Sequence, residues 1–311
     1  MRPSKIQCVY CNSNDIEEYL KSRDYITGDN FNYFRCNKCF SYFLNPIPLN
    51  LDKYYFFNYR NYGFVGRQIL NFLFNLKAKR ILKLISNRKN KILEVGFGEG
   101  QLLKFLKLNS KQNHFIGLER EDYIKKNYEK ISFIDELISD FKKIPKDLNL
   151  VILNNSLEHL PNPDEVLKLI SNNLLEDGRI LISVQNINSL QSKFGGSNWF
   201  HLDPPRHITQ YSKRFFFNYF DHESKMVIES ITNDSIFYEF IGWFVTLSNN
   251  MKFRYNLPWL YIQNLKKINL FFLLYLAVAI IFIFPLSIIL TFYSLFFSKD
   301  PAIIRVTVKK I

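Results

Sequence analysis

Apolar and polar positions through the middle of the chain switch repeatedly between two periods. Ile92, Leu93 and Val95 form a short β-branched run, after which Leu102, Leu103, Phe105 and Leu106 recur at helical spacing. His114–Leu118 reads as a second strand, 122–129 as a helix, Ile131–Ile134 as a third strand and Leu148–Leu153 as a fourth. The helix expected over Pro163–Leu175 carries Asp164 and Glu165 in its first turn, where the helix dipole favours acids. Glu176-Asp177-Gly178 is expected to close it, and Arg179–Val184 reads as a fifth strand. Upstream, Ile69, Phe72, Leu73, Leu76, Ile81, Leu82 and Ile85 mark a helix within 63–86. Downstream, Phe215–Phe220 predicts a helix, Met226–Ile231 a sixth strand and Ala302–Lys309 a last one. This alternation predicts an α/β fold: a Rossmann-like, doubly wound, mostly parallel sheet with helices on both faces.

The turn after the first strand is the chemical centre of that pattern. In KILEVGFGEGQ, Gly96, Gly98 and Gly100 permit positive φ and let a ligand lie against bare backbone. The first strand of a doubly wound sheet holds nucleotide-like ligands in this way. The spacing is G-x-G-x-G, a weak signal alone. Glu94 before it sharpens the reading, and so does Glu119, which ends the second strand about 20 residues on, where a carboxylate accepts ribose hydroxyls. Asp135, at the end of the expected third strand, is a further candidate to contact such a ligand, with Asp140 as its rival. A Rossmann domain for NAD is the alternative.

Composition adds a metal and a charge. Hydrophobic residues make up 47% of 311, enough for a sizeable core. Net charge is 41 − 28 = +13, which favours anionic partners, although the lysines are scattered among abundant Ile, Asn and Phe. Met1–Gln7 is short and polar and does not read as a secretory signal. All four cysteines fall near the start, as Cys8-x-x-Cys11 and Cys36-x-x-Cys39. Paired knuckles of this kind fit a tetrahedral structural zinc ribbon, with Tyr33, Phe34, Phe40, Tyr42 and Phe43 packing on the second hairpin. Two disulfides or four idle thiols are the alternatives. So small a ribbon cannot bury an apolar core of its own, so the metal would replace one.

E-V-G-F-G-E-G with the strand-end acid resembles the cofactor site of the Rossmann-like S-adenosylmethionine-dependent methyltransferases. LNLVILNNSLEHLPNPDEVLKLISNNLLEDGRILISVQN is similar to the second half of that core, with Gln185 in place of a usual proline and Asp177 in place of a usual glycine. With the C-x-x-C pairs and the aromatic stretch Tyr54–Tyr62, the chain resembles a bacterial family associated with surface-glycan and natural-product biosynthesis. The resemblance implies S-adenosylmethionine as cofactor and, as acceptor, a hydroxyl on a glycan, lipid-linked sugar or related small molecule. Methyl transfer is an in-line displacement, needing an aligned nucleophile, exclusion of water and, for oxygen, a base. Asn154, at the end of the fourth strand, is the candidate to hold the methionine part. His159 in the L-E-H turn and His207 in NWFHLDPPRHI, where a substrate lid would sit, are the candidate bases. The plainer readings are that His159 caps its turn and that His207 and Arg206 only tie the lid down. Base amino-methyltransferases carry an N/D-P-P-aromatic element after the fourth strand. This chain has Asn154-Asn155-Ser156-Leu157 there, so nucleic acid is not the expected partner; a soluble or RNA-directed methyltransferase and a non-catalytic cofactor-binding protein are the alternatives.

Leu270–Phe297 holds no charged residue, and Lys266, Lys267 and Lys299 bracket it. As one helix it would be about 42 Å long, enough to span a bilayer. Pro285 is expected to break it into two pieces, each too short to cross about 30 Å of hydrocarbon. In the resembled fold the last strand lies antiparallel beside the fifth, which forbids a single crossing. A helix–break–helix hairpin in one leaflet or in the interface is therefore expected, with Trp243, Tyr255, Trp259 and Tyr261 at headgroup level. A buried cap or a homodimer interface is the alternative. The expected organisation is a zinc ribbon over 1–45, a linker and helix over 46–90, a methyltransferase core with lid over 91–265, the membrane-associated hairpin over 266–299 and the last strand over 300–311, in a cytoplasmic protein peripheral to the membrane.

Overall fold

The computed structural model describes residues 6–55, 64–86, 88–222, 225–251, 255–262 and 270–311. An N-terminal module holds β1 (Ile16–Arg23), β2 (Asn30–Cys36) and β3 (Tyr42–Leu44). Then come α1 (Phe64–Leu82), β4 (Lys91–Val95), α2 (Gln101–Asn109), β5 (His114–Leu118), α3 (Glu121–Ile131), β6 (Glu136–Ile138) and β7 (Leu148–Asn154). They are followed by α4 (Pro163–Asn173), β8 (Leu174–Gln185), α5 (Leu190–Gly195), β9 (Thr209–Gln210), α6 (Lys213–Asp221), β10 (Met226–Asn233), α7 (Ile236–Asn250) and α8 (Leu257–Ile262). A long helix, α9 (Leu270–Ser298), precedes β11 (Ile303–Lys310).

The central sheet runs β10-β11-β8-β7-β4-β5-β6. Strands β4 to β8 are parallel, while β11 pairs antiparallel with both β8 and β10. This is the Rossmann-like α/β architecture expected, with its last strand reversed. Alternation along each strand sorts the core into two layers. Leu93 and Val95 of β4, Val151 and Leu153 of β7 and Ile304 and Val306 of β11 share a layer with α4, α6 and the N-terminal module. Ile92, Leu150, Ile152 and Leu181 face α1 and α2. That parity also turns Glu94, Asn154, Ser183 and Arg305 toward α1.

Several boundaries differ from the pattern. Ile131–Ile134 is not a strand: α3 runs to Ile131, and β6 begins only at Glu136. The apolar side chains Ile131 and Ile134 plug the α2 side of the core, so their hydrophobicity reports packing rather than extension. Helix α4 stops at Asn173, and Glu176-Asp177-Gly178 lie within β8, since Leu174 already pairs with Leu148. The N-terminal module is not a separate bead either. Its β3 pairs with β9, and Cys8, Tyr10, Cys36 and Phe43 belong to the same buried layer as Phe215 and Tyr211 of the core.

The hydrophobic segment is one continuous helix, not a hairpin. Pro285 breaks nothing, because the turn before it, Ala279–Ile283, is π-helical. There Phe284 N–H reaches back to the Ala279 carbonyl, widening the turn where the proline ring must pass. Helix α9 lies along α7: Trp243 Nε1 donates to Ser294 Oγ at 2.9 Å, and the Ser248 and Tyr275 hydroxyls meet at 2.7 Å. Trp243, Tyr255 and Trp259 are buried inside the protein, so the expected aromatic belt does not form; they fill the apolar clusters beneath α7 and α8.

Candidate active site

The glycine turn rises from the carboxyl end of β4. Gly96, Gly98 and Gly100 all have positive φ, at 70°, 54° and 70°. Gly96 is required twice over, because a Cβ there would stand 2.8 Å from Ser156 Cβ. Glu119 follows β5 and reaches across the turn, where its carboxylate accepts from Gly98 N–H at 3.0 Å and from Arg120 N–H at 3.0 Å. Gly96 N–H donates to the Leu118 carbonyl, which ties the two strand ends together.

A cavity of about 240 Å³ opens between this turn, α1 and the start of α7. Glu94, Gly96 and Asn154 are in its wall; Gly98, Gly100, Glu119 and Asp135 are not. Its floor holds a charge cluster that the sequence pattern did not reveal. Lys77 of α1 donates to Asn154 Oδ1, to Asp234 Oδ2 at 2.6 Å and to Ser183 Oγ at 3.3 Å. Arg305 Nε donates to Asp234 Oδ1 at 2.8 Å. Burial pushes Lys77 below the ordinary lysine value, with Asp234 opposing. Burial would raise Asp234, but Lys77 and Arg305 overcome it and hold the carboxyl below its usual range. A lysine among apolar helix positions is indistinguishable in sequence from a surface one; only the register of four strands makes it central.

Asp135 is a correction. It lies at the amino end of β6, opposite the ligand end of a parallel sheet, where it pairs with Lys107 and accepts from Phe115 N–H at 2.9 Å. Its rival Asp140 follows the carboxyl end of β6 and caps a short turn through Lys142 N–H.

Beyond β7, the L-E-H turn meets the 199–208 segment. That segment was expected to be a lid, but it is a packed wall: Trp199, Leu202, Arg206 and His207 are all buried. Arg206 ties it to the N-terminal module through Asp24 at 2.7 Å and to the chain beyond that module through the Tyr54 carbonyl at 2.9 Å, while Asp203 of the same segment holds the guanidinium at 2.6 Å. His159 and His207 stand with ring centroids 4.9 Å apart. His159 Nδ1 lies 2.7 Å from the Arg206 carbonyl, and His207 Nδ1 lies 2.8 Å from the His201 carbonyl. A carbonyl only accepts, so each neutral ring carries its proton on Nδ1 and keeps a lone pair on Nε2. His201 itself is pushed down to about 3 by burial and donates to the Tyr238 carbonyl. Of the aromatic stretch, Tyr54 is buried and Tyr55 Oη lies 3.2 Å from His159 Nδ1; 56–62 lie outside the described residues.

In the N-terminal module the four cysteine sulfurs lie within 4.8 Å of one another, with Cys8–Cys39 at 3.4 Å and Cys11–Cys36 at 3.6 Å. No disulfide joins them. Bonds of about 2.3 Å to a tetrahedral zinc place sulfurs about 3.8 Å apart, so the set fits that ion. The Cys39 thiol pulls Cys8 down to about 5, while burial pushes Cys11 up to about 11. Four such sulfurs ionise together only around a cation.

Residues 69–223, which hold the glycine turn, Glu119, the L-E-H turn and His207, match a family model described as a methyltransferase domain. This chain is an S-adenosylmethionine-dependent methyltransferase. No curated protein matches it. Among solved structures, the methyltransferase is similar to coclaurine N-methyltransferase bound to N-methylheliamine and SAH, at 15% identity and TM-score 0.45, over 76% of this chain and 72% of that one. It is similar to the plantazolicin methyltransferase BpumL in complex with SAH, at 14% identity and TM-score 0.44, over 78% and 84%. A third is a Galdieria sulphuraria protein provisionally named a sarcosine dimethylglycine methyltransferase, at 12% identity and TM-score 0.49, over 83% and 94%.

Proposed function

We propose that this methyltransferase works at a membrane surface, O-methylating a glycan, a lipid-linked sugar or a related metabolite. The observation that carries the reading is the inverted face of α9. In a water-soluble protein a helix turns its apolar stripe inward and its polar residues out. Here the buried stripe is Tyr275, Ala279, Ile283, Ser287, Thr291 and Ser294, while Phe271, Leu274, Ile281, Ile289, Phe292 and Phe296 are exposed. Small and hydroxyl-bearing residues at the helix contact, with large apolar ones outside, are the composition of helices packed within lipid. Because α9 is bonded to α7 from Tyr275 to Ser294, it meets a bilayer sideways rather than crossing alone. Lys299 closes one end, and the net charge of +13 suits an anionic leaflet on the cytoplasmic side. The cavity wall continues toward this face: Ile236, Phe237 and Tyr238 line it, and Phe240, one turn on, packs on Phe284 of α9 with ring centroids 5.4 Å apart. A lipid-linked acceptor has an apolar route along that path.

Within the site, Gly96, Gly98 and Gly100 seat the cofactor backbone-first, and Glu119 grips its ribose. Glu94 and Asn154 flank the methionine part, with Asn154 oriented by Lys77. S-adenosylmethionine supplies an electrophilic methyl group. His207 and His159, each with its unprotonated Nε2, activate the acceptor hydroxyl. Cys8, Cys11, Cys36 and Cys39 hold a structural zinc.

The test has two arms. Flotation of the full chain with anionic vesicles is expected to carry the protein upward, and Phe292→Glu with Ile289→Glu to leave it behind; equal behaviour of wild type and variant overturns the membrane reading, and a concentration-dependent dimer without flotation assigns the face to a second copy. Labelled cofactor offered with lipid, glycan and RNA fractions is expected to mark the lipid or glycan fraction, and to mark nothing with His207→Ala.

A further inference from the structure

We propose that Glu158, His159 and His207 form a second metal site, for a divalent transition cation with open positions facing the acceptor. The proposal rests on the O-methyl transfer reading for its role, but not for the site itself. The three residues come from two segments brought together by the fold: Glu158 and His159 follow β7, and His207 ends the packed wall, where Ile208 N–H donates to the Glu158 carbonyl at 2.8 Å. One ligand atom from each lies within 4.8 Å of the other two. Around a tetrahedral cation with bonds of about 2.1 Å the ligands stand about 3.4 Å apart, so side-chain rotations of about an ångström close the set.

Second-layer contacts decide between this and a chance cluster. Metal-binding histidines characteristically donate their other N–H to a carbonyl or carboxylate, which fixes tautomer and ring orientation. Both rings do so here, through the Arg206 and His201 carbonyls, and both leave Nε2 as the donor atom to a metal. The segment that carries both carbonyls is itself held. Tyr33 Oη and the Asp203 carbonyl grip the His207 backbone, and the Arg206 side chain is buried between Asp24 and Asp203. Glu158 is fully buried, and Gln185 Nε2 donates to its Oε1 at 2.7 Å, orienting the carboxylate as outer-layer partners do. The same amide leaves Gln185 Oε1 buried without a hydrogen-bond partner, an acceptor that a metal-held water or hydroxyl would satisfy. Two neutral imidazoles and one carboxylate suit zinc, iron(II) or manganese, and three protein ligands leave positions open.

The chemistry balances without a further reagent. The acceptor hydroxyl oxygen binds the cation, which lowers its pKa, and the proton passes to solvent. An oxygen lone pair then forms the bond to the sulfonium methyl carbon as the carbon–sulfur bond breaks, its electron pair staying on sulfur. The ether oxygen leaves the cation with the product.

The probe is cobalt(II) alone, titrated into the full chain already carrying zinc at its cysteines and followed by visible absorption and elemental analysis. Wild type is expected to take up one further equivalent. Glu158→Gln, which keeps the partner Gln185 and the volume, is expected to weaken it at least tenfold, as is His207→Asn; circular dichroism checks that each is folded. His222→Asn, on the exposed end of α6, leaves uptake unchanged. Chelation and re-addition of the cation should abolish and restore methyl transfer without altering cofactor affinity. No extra equivalent in wild type, or the same uptake in both variants, overturns the proposal. Uptake lost in the variants, with no hydroxyl acceptor ever labelled, upholds the site and sinks the O-methylation reading instead.

Discussion

Gly96→Ala tests the turn proposed to seat the cofactor. The new Cβ meets two penalties. The backbone is left-handed at φ 70°, which costs an L-residue roughly 1–2 kcal/mol. The Cβ also stands 2.8 Å from Ser156 Cβ, an overlap in packed surroundings worth roughly 1–3 kcal/mol. Together they predict a loss of roughly 2–5 kcal/mol. Only the second penalty depends on residue 156. Ser156→Gly removes the clashing atom, and the next neighbour, Ser156 Cα, is 3.9 Å away, in ordinary contact. The double variant should therefore be more stable than the sum of the single ones by about 1 kcal/mol or more. Denaturant titration of the four proteins measures that coupling, and calorimetry with S-adenosylhomocysteine measures its echo in affinity. Additivity within about 0.5 kcal/mol is what independent sites give; finding it would mean that β4 and β7 do not bring these residues together, and the site as described would fail.

Arg206→Met should cost about 3–5 kcal/mol, because it strands Asp24 and Asp203 in the interior; a melting temperature within a degree or two of wild type contradicts this. Glu239, buried beneath α9 with Ala302 N–H on its Oε2, is pushed up by burial from 4.5 to about 7. Its folded form holds the proton more tightly, so its stabilisation is full below its unfolded value and is lost as pH rises through about 7, a swing of about 3 kcal/mol. Glu239→Gln should flatten that pH dependence and be the more stable protein at pH 8, as denaturant midpoints across pH would show. Cys36→Ser, or removal of the zinc proposed at the four cysteines, should lower the melting temperature of the whole core rather than a minor transition, since Cys36 shares a buried layer with Phe215; calorimetry showing two separate transitions would refute this.

Much of the sheet was legible because β4, β5, β7 and β8 are buried strands whose apolar runs carry no competing period. The glycine turn and Glu119 were legible for the same reason: their place follows from strand order alone. Asp135 was misread because Ile131 and Ile134 are apolar for the sake of α3 and α2, and a short edge strand leaves too few residues to show a period of two. The Lys77–Asp234–Arg305 cluster joins three distant segments, and nothing local marks any of the three. Pro285 misled because a proline breaks a helix only where the preceding turn cannot widen. The apolar character of Leu270–Phe297 was plain, but which side faces the protein depends on α7, whose Trp243 and Ser248 select Ser294 and Tyr275 as partners.

Neighbouring antiparallel strands ordinarily need only a tight turn between them. Here β10 and β11 close their ladder at Asn233 and Ile304, and everything from 234 to 303 is threaded between those two residues. The sheet is therefore largely indifferent to what hangs from that clasp. The segment beyond its root can vary in length and composition without rebuilding the sheet, provided the stem residues Asp234 and Glu239 keep their grips on Lys77 and Ala302. On the proposed membrane reading, the mode of tethering can thus change only beyond Ile236, Phe237 and Tyr238, which line the cavity at the root of the appendage.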